Sequence, residues 1–129
     1  MKLRILGDTL RMRLAQGEVA LLRDAGQVDQ TIHFGPGDDQ AIRYEVRADA
    51  DADTMSAALE GLSIIVRIPR SVVVDWADGS DVSLKHTQPR DGGELSILIE
   101  KDFKCLVPRE GEQDSDGFPH PEADSGASC

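Results

Sequence analysis

The first fourteen residues alternate. Leu3 and Ile5 are apolar beside Lys2 and Arg4, and after Gly7-Asp8 the apolar positions Leu10, Met12 and Leu14 alternate with Arg11 and Arg13. A period of two on both arms of a glycine turn predicts a β-hairpin. Its pleat puts the apolar side chains on one face and Arg4, Arg11 and Arg13 on the other. The period then lengthens. In AQGEVALLRDAG, Val19, Leu21 and Leu22 form an apolar stripe at helical spacing, with Glu18 near the start, Arg23 in the last turn and Gly26 just beyond. These signals predict a helix over about residues 16–25.

Alternation returns twice more. QVDQTIHFG sets Val28, Gln30, Ile32 and Phe34 against Asp29, Thr31 and His33. QAIRYEVRA sets Ile42, Tyr44 and Val46 against Arg43, Glu45 and Arg47, and the turn cluster GPGDD joins the two runs as a second hairpin. DADADTMSAALEG interrupts the sheet, with Asp53 or Thr54 placed to cap a short turn of helix through Leu59 and Gly61 placed to stop it. LSIIVRIP is rich in β-branched residues and reads as a strand ended by Pro69. RSVVVDWADGSD reads as a turn or a short helix ending at Gly79, and DVSLKH pairs with ELSILIEKDF across TQPRDGG. The sum is an α+β fold. We expect a mostly antiparallel, curved or partly closed sheet of six to seven strands with one main helix at residues 16–25. No βαβ alternation is visible, and no repeat with a period of 20–50 residues.

Composition changes this picture at the end of the chain. The 129 residues suit one domain, and with aromatics at only 4% its interior must be filled by Leu, Ile and Val. From Pro108 the apolar pattern stops. The stretch from Arg109 to Cys129 carries six carboxylates against one arginine, which is a poor composition for burying a core. The expected organisation is an α+β domain over residues 1–107 and an acidic Pro- and Gly-containing extension over 108–129, partly docked, with Phe118 as its one large apolar anchor.

The formal charge of −10 argues against general binding of nucleic acid or of an anionic membrane. No apolar run is long enough for a transmembrane helix, and MKLRILGDTLRMRL lacks the form of a secretory signal. A cytoplasmic location follows as the expectation, where two cysteines would stay reduced.

Three constellations carry candidate chemistry. Cys105, His120 and Cys129, with a carboxylate from Asp114, Asp116 or Glu122, form a donor set that zinc accepts. The set lacks the CxxC or HxxxH spacing of most structural sites. A Cys105–Cys129 disulfide and two unpaired thiols are the alternatives. Arg4, Arg11 and Arg13, joined by Arg43 and Arg47 if all five share a face, suit a phosphate or carboxylate ligand. The plainer reading of the same face is a solvated one, or one ion-paired with Glu45, Asp29 or the acidic extension, because a half-buried sheet requires such alternation. DADAD lacks the turn glycine and the bidentate glutamate of a calcium loop. GPGDD lacks the Lys-Ser/Thr of a phosphate loop, and no G-x-S-x-G or cysteine-protease signature accompanies His33 and His86, both expected on polar faces.

The leading functional reading is therefore a non-catalytic binding or protein-interaction module that uses an exposed sheet face or edge. It needs no cofactor and has a protein partner or a second copy of itself. A small metal-binding or thiol-redox protein using Cys105, His120 and Cys129 is the alternative. A small-anion binder using Arg4, Arg11 and Arg13 is the third.

Both ends of the chain carry a resemblance. MKLRILGDTLRMRL followed by the Glu-Val helix, and EKDFKCLVPREGEQDSDGFPHP followed by a final cysteine, resemble a small bacterial family of uncharacterised proteins. The resemblance implies a shared fold that includes the C-terminal segment, and it implies no activity.

Overall fold

The computed structural model describes residues 1–103. Their eight strands and two longer helices run in the order β1 (Lys2–Leu6), β2 (Thr9–Leu14), α1 (Gln16–Ala25), β3 (Gln27–His33), β4 (Ala41–Asp49), β5 (Ser56–Glu60), β6 (Ser63–Pro69), α2 (Arg70–Asp78), β7 (Ser83–Arg90) and β8 (Gly93–Lys101). A single 3-10 turn, Asp38–Gln40, precedes β4.

The first hairpin and α1 form where the pattern places them. Gly7 takes φ 53, the left-handed conformation that a tight hairpin turn asks of glycine. At the start of α1, Glu18 reaches back to accept a hydrogen bond from the Ala15 N–H at 2.9 Å, which is half of a capping box. At its end Gly26 adopts φ 83 and donates its N–H to the Leu22 carbonyl. Val19 and Leu22 are the buried stripe.

Where one sheet was expected there are two, each four-stranded, mixed and not closed. The first has the order β1-β2-β8-β7 and the second β3-β4-β6-β5. Each is built from two antiparallel hairpins joined through a parallel pair, β2 with β8 and β4 with β6. A parallel pair between segments so far apart in the chain leaves no local sequence signal. Short-range alternation predicts only the hairpins. One further element differs from expectation, and of the two readings open for RSVVVDWADGSD the short helix ending at Gly79 is the one formed. Ser56–Glu60 is a strand, and Gly61, at φ 59, forms the β5–β6 hairpin turn. RSVVVDWAD is a full helix that buries Val73 and Trp76, with Pro69 supplying its N-terminal boundary.

The topology repeats. The unit β1-β2-α1-β3-β4 recurs as β5-β6-α2-β7-β8, and each unit pairs its second strand with the last strand of the other. Gly7 and Gly61, Leu14 and Ile68, Val19 and Val73, and Leu22 and Trp76 stand at one common spacing. That spacing is longer than the 20–50-residue periods of common repeats. The two units share almost nothing but apolar pattern and turn glycines, which is why the sequence alone does not show it.

The core lies on the inward faces of both sheets and under the helices. Met12, Leu14, Leu22, Val46, Val66, Ile68, Val73 and Ile99 are all fully buried. Burying one such side chain is worth about 1.5–3 kcal/mol. Trp76 closes the helix side, its indole N–H donating to the Val82 carbonyl at 3.3 Å.

Candidate binding face

The outward face of the first sheet is set by strand register. Lys2 stands opposite Arg13, and Arg4 opposite Arg11. In the parallel pair Arg11 is level with Leu98 and Arg13 with Glu100, while Lys85 of β7 lies opposite Leu98. One row across the sheet therefore reads Lys2, Arg13, Glu100, Ser83. The next reads Arg4, Arg11, Leu98, Lys85. Five cations face outward on these strands against two carboxylates, Glu94 and Glu100, in a chain whose net charge is −10.

Glu100 holds the centre of this face. Its Oε1 accepts from Arg11 Nε at 2.7 Å and from Arg13 Nε at 2.5 Å. Lys2 Nζ lies 3.1 Å from Asp102, just past the end of β8. Arg4 and Lys85 are exposed and have no carboxylate of the described residues within ion-pair distance. The structure thus brings together Arg4, Arg11 and Arg13 as the sequence expects. Lys2 joins them on β1 by the same alternation, and the structure adds Lys85 and Glu100, which alternation alone does not place, because the pairing of β2 with β8 carries no local signal.

Arg43 and Arg47 do not belong to this face. They project from β4 on the second sheet, where charges cancel pair by pair. Arg43 reaches Asp29 at 2.6 Å and Glu45 at 2.5 Å, Arg47 reaches Glu45 at 2.6 Å, and Arg67 reaches Glu60 at 2.9 Å. The hydrogen bond from Arg43, with help from Gln27, holds the Asp29 carboxyl below the usual carboxylate range. Glu45 is fully buried between its two arginines. Both of its oxygens sit at ion-pair distance without a well-aligned hydrogen bond, so the contact is chiefly electrostatic. The two outward faces are equivalent in topology and opposite in electrostatics. The second sheet's is neutralised through its register, and the first sheet's strands carry more cations than carboxylates.

Other candidate residues fall elsewhere. His33 is exposed on β3, as expected. His86 is not on the polar face of β7. It points inward with Leu84 and Gln88, opposite buried Ile97. Gln30, expected inward, is exposed and accepts a hydrogen bond from the Tyr44 hydroxyl at 3.1 Å. Cys105, His120 and Cys129, the zinc and disulfide candidates, lie outside the described residues, as does Phe118. Among the described residues no group of three or more His, Cys, Asp or Glu side chains is arranged to hold a metal, and no helix is long and apolar enough to cross a membrane.

A cavity of about 810 Å³ lies between α1, the end of α2 and the end of β8, with Leu14, Val19, Ala20, Ala77 and Phe103 among its lining. Its charged rim is already paired. Arg23 grips Asp78 through two hydrogen bonds, at 2.7 and 3.0 Å, which also lowers the Asp78 carboxyl below the usual range. Lys101 donates to the Gly79 carbonyl at 3.0 Å and lies 5.5 Å from the centre of the Trp76 ring.

A protein-family model described as a family of unknown function (DUF7009) matches residues 1–122. No curated protein matches the chain. No solved structure matches it either.

Proposed function

The chain belongs to DUF7009, a family of unknown function, and from that premise we propose that it is a non-catalytic binding module whose first sheet holds a carboxylate-rich segment of a protein partner. The observation that carries this reading is the excess of cations on one sheet face, Lys2, Arg4, Arg11, Arg13 and Lys85 on strands that carry Glu94 and Glu100, with Arg4 and Lys85 exposed. The strands present these cations in rows about 7 Å apart, the repeat of alternate residues along an extended chain. A peptide with acidic residues at alternate positions matches that spacing. Arginine forks favour carboxylates in a defined geometry, and two of the five groups, Arg4 and Lys85, are exposed with no described carboxylate in reach. The chain's overall negative charge opposes long polyphosphates at a distance, which favours a short acidic peptide over nucleic acid.

The test is fluorescence anisotropy with a labelled hepta-glutamate peptide. Binding is expected, weakening steeply as salt rises above about 0.1 M, where screening reaches about 10 Å. It is expected to be lost in the double variant Arg4→Glu/Lys85→Glu, whose thermal midpoint should match that of the original protein because both side chains are solvent-exposed. Equal binding by the double variant, or preferential binding of a single-stranded oligonucleotide, would count against the proposal.

A further inference from the structure

We infer that the basic face is regulated from within: carboxylates Glu110, Glu112, Asp114 and Asp116 of the same chain occupy it as a tethered competitor, and an acidic partner binds by displacing them. The inference rests on the reading of the first sheet as a binding face for acidic segments.

Three observations carry it. The chain leaves the described structure at the corner of this face. The Asp102 N–H still donates to the Leu14 carbonyl at 2.9 Å, continuing the register of β2 with β8, and the Asp102 carboxylate already lies on Lys2. The first carboxylate beyond the strand is thus on the face. The next four stand at every second position, in the sequence REGEQDSD, separated only by Gly111, Gln113 and Ser115. An extended segment puts alternate side chains on one side at about 7 Å intervals, the same repeat as the cationic rows of the sheet. Finally, the tether is long enough. At about 3.4 Å per residue, the stretch from Phe103 to Glu110 spans up to about 24 Å, while four strands span about 14 Å from first axis to last.

Charge completes the argument. The stretch from Arg109 to Cys129 carries six carboxylates and one arginine, complementary to five cations and two carboxylates on the strands. A short tether gives an effective concentration in the millimolar range, so even weak pairing keeps the face covered until a stronger ligand competes.

Two readouts on full-length protein separate this inference from the proposal beneath it. The first is zero-length carbodiimide cross-linking of the dilute protein, followed by peptide mass spectrometry. It is expected to join Lys85 or Lys2 to a carboxylate among residues 110–116. No such cross-link from either lysine would overturn the inference. The second is hepta-glutamate binding by the variant Glu110→Gln/Glu112→Gln/Asp114→Asn/Asp116→Asn. We expect at least tenfold tighter binding than by the original protein, with the gain lost when Arg4→Glu/Lys85→Glu is added. Equal affinities would overturn the competitor and leave the binding face standing. Cross-links without peptide binding by any variant would retain the internal contact and overturn the proposed partner.

Discussion

Gln88 pairs with Ala57 as if its side-chain amide were one more residue of strand. Its Nε2 donates to the Ala57 carbonyl at 3.0 Å, and its Oε1 accepts from the Ala57 N–H at 2.8 Å. Gln88 lies on β7, at the edge of the first sheet, and Ala57 on β5, at the edge of the second. One amide therefore joins two sheet edges that no backbone ladder connects, and it blocks part of the β5 edge against pairing with another chain.

Gln88→Ala removes both hydrogen bonds and should cost about 1–2 kcal/mol. Gln88→Glu should cost no less, because its carboxylate sets an acceptor against the Ala57 carbonyl. Urea denaturation of the two variants checks this. A midpoint unchanged in both would mean that the amide adds nothing to the junction of the sheets.

Glu45 makes the opposite kind of contact, a charge buried by its own arginines. Glu45→Ala would leave Arg47 without the carboxylate it contacts at 2.6 Å, while Arg43 would keep Asp29. Removing one partner of a fully buried pair costs about 3–5 kcal/mol, but both arginines remain partly exposed to water, so a loss of about 1–3 kcal/mol is expected. Glu45→Ala/Arg47→Leu should recover part of it, since an apolar residue then replaces an unpaired cation. Chemical denaturation of both variants decides the point. A double variant less stable than the single one would contradict it.

Acid should weaken the tie between the helices. Asp78 is held below the ordinary carboxylate range by its hydrogen bonds from Arg23, and Asp29 likewise by Arg43 and Gln27. A depressed carboxyl contributes its stabilisation in full above its unfolded pKa, about 3.9, and loses it as pH falls through the lower folded value. Asp78→Asn should therefore lie slightly below the original protein in thermal midpoint at neutral pH, and the gap should close below about pH 3. Asp78 is fully exposed, so the gap is small. A gap that stays constant from pH 7 to pH 2 would show that the ion pair is not its source.

The local elements were readable and the assembly was not, and particular residues show why. Leu10, Met12 and Leu14 against Arg11 and Arg13 fix a strand and its two faces within six residues. Gly26 ends α1 because only its own backbone conformation matters there. Ser56–Glu60 misled, because Asp53 and Thr54 resemble a helix start and Ala57, Ala58 and Leu59 suit a helix as well as a strand. Its strand state is set by Ile64, Ile65 and Val66 across the Gly61 turn. The three arginines of the candidate face were readable from period two alone. Lys85 and Glu100 joined them only through the pairing of β7, β8 and β2, which depends on the whole fold. The separation of Arg43 and Arg47 onto another sheet depends on it equally.

The repeated topology makes a prediction about the halves. In the first unit, Met12 of β2 is level with Ile99 of β8, and Val46 of β4 is level with Val66 of β6. Each parallel ladder is thus made between units, and each unit alone exposes the inward face of two hairpins. A fragment of about 50 residues rarely buries enough surface to fold without help. Residues 1–52 and 53–129, prepared as separate chains, should each lack a cooperative thermal transition. On mixing they should form a 1:1 complex with one such transition and the circular dichroism of the intact protein. The measurement is size-exclusion chromatography with light scattering, followed by a melt of the complex. A first half that melts cooperatively as a monomer would show that β2 and β4 do not need their partners. Two halves that stay unfolded together would show that the linker at residues 50–55 holds the ladders in place. In the expected case, the exchange of strands between units is what makes a single folded domain of two sequences with little in common beyond their apolar pattern.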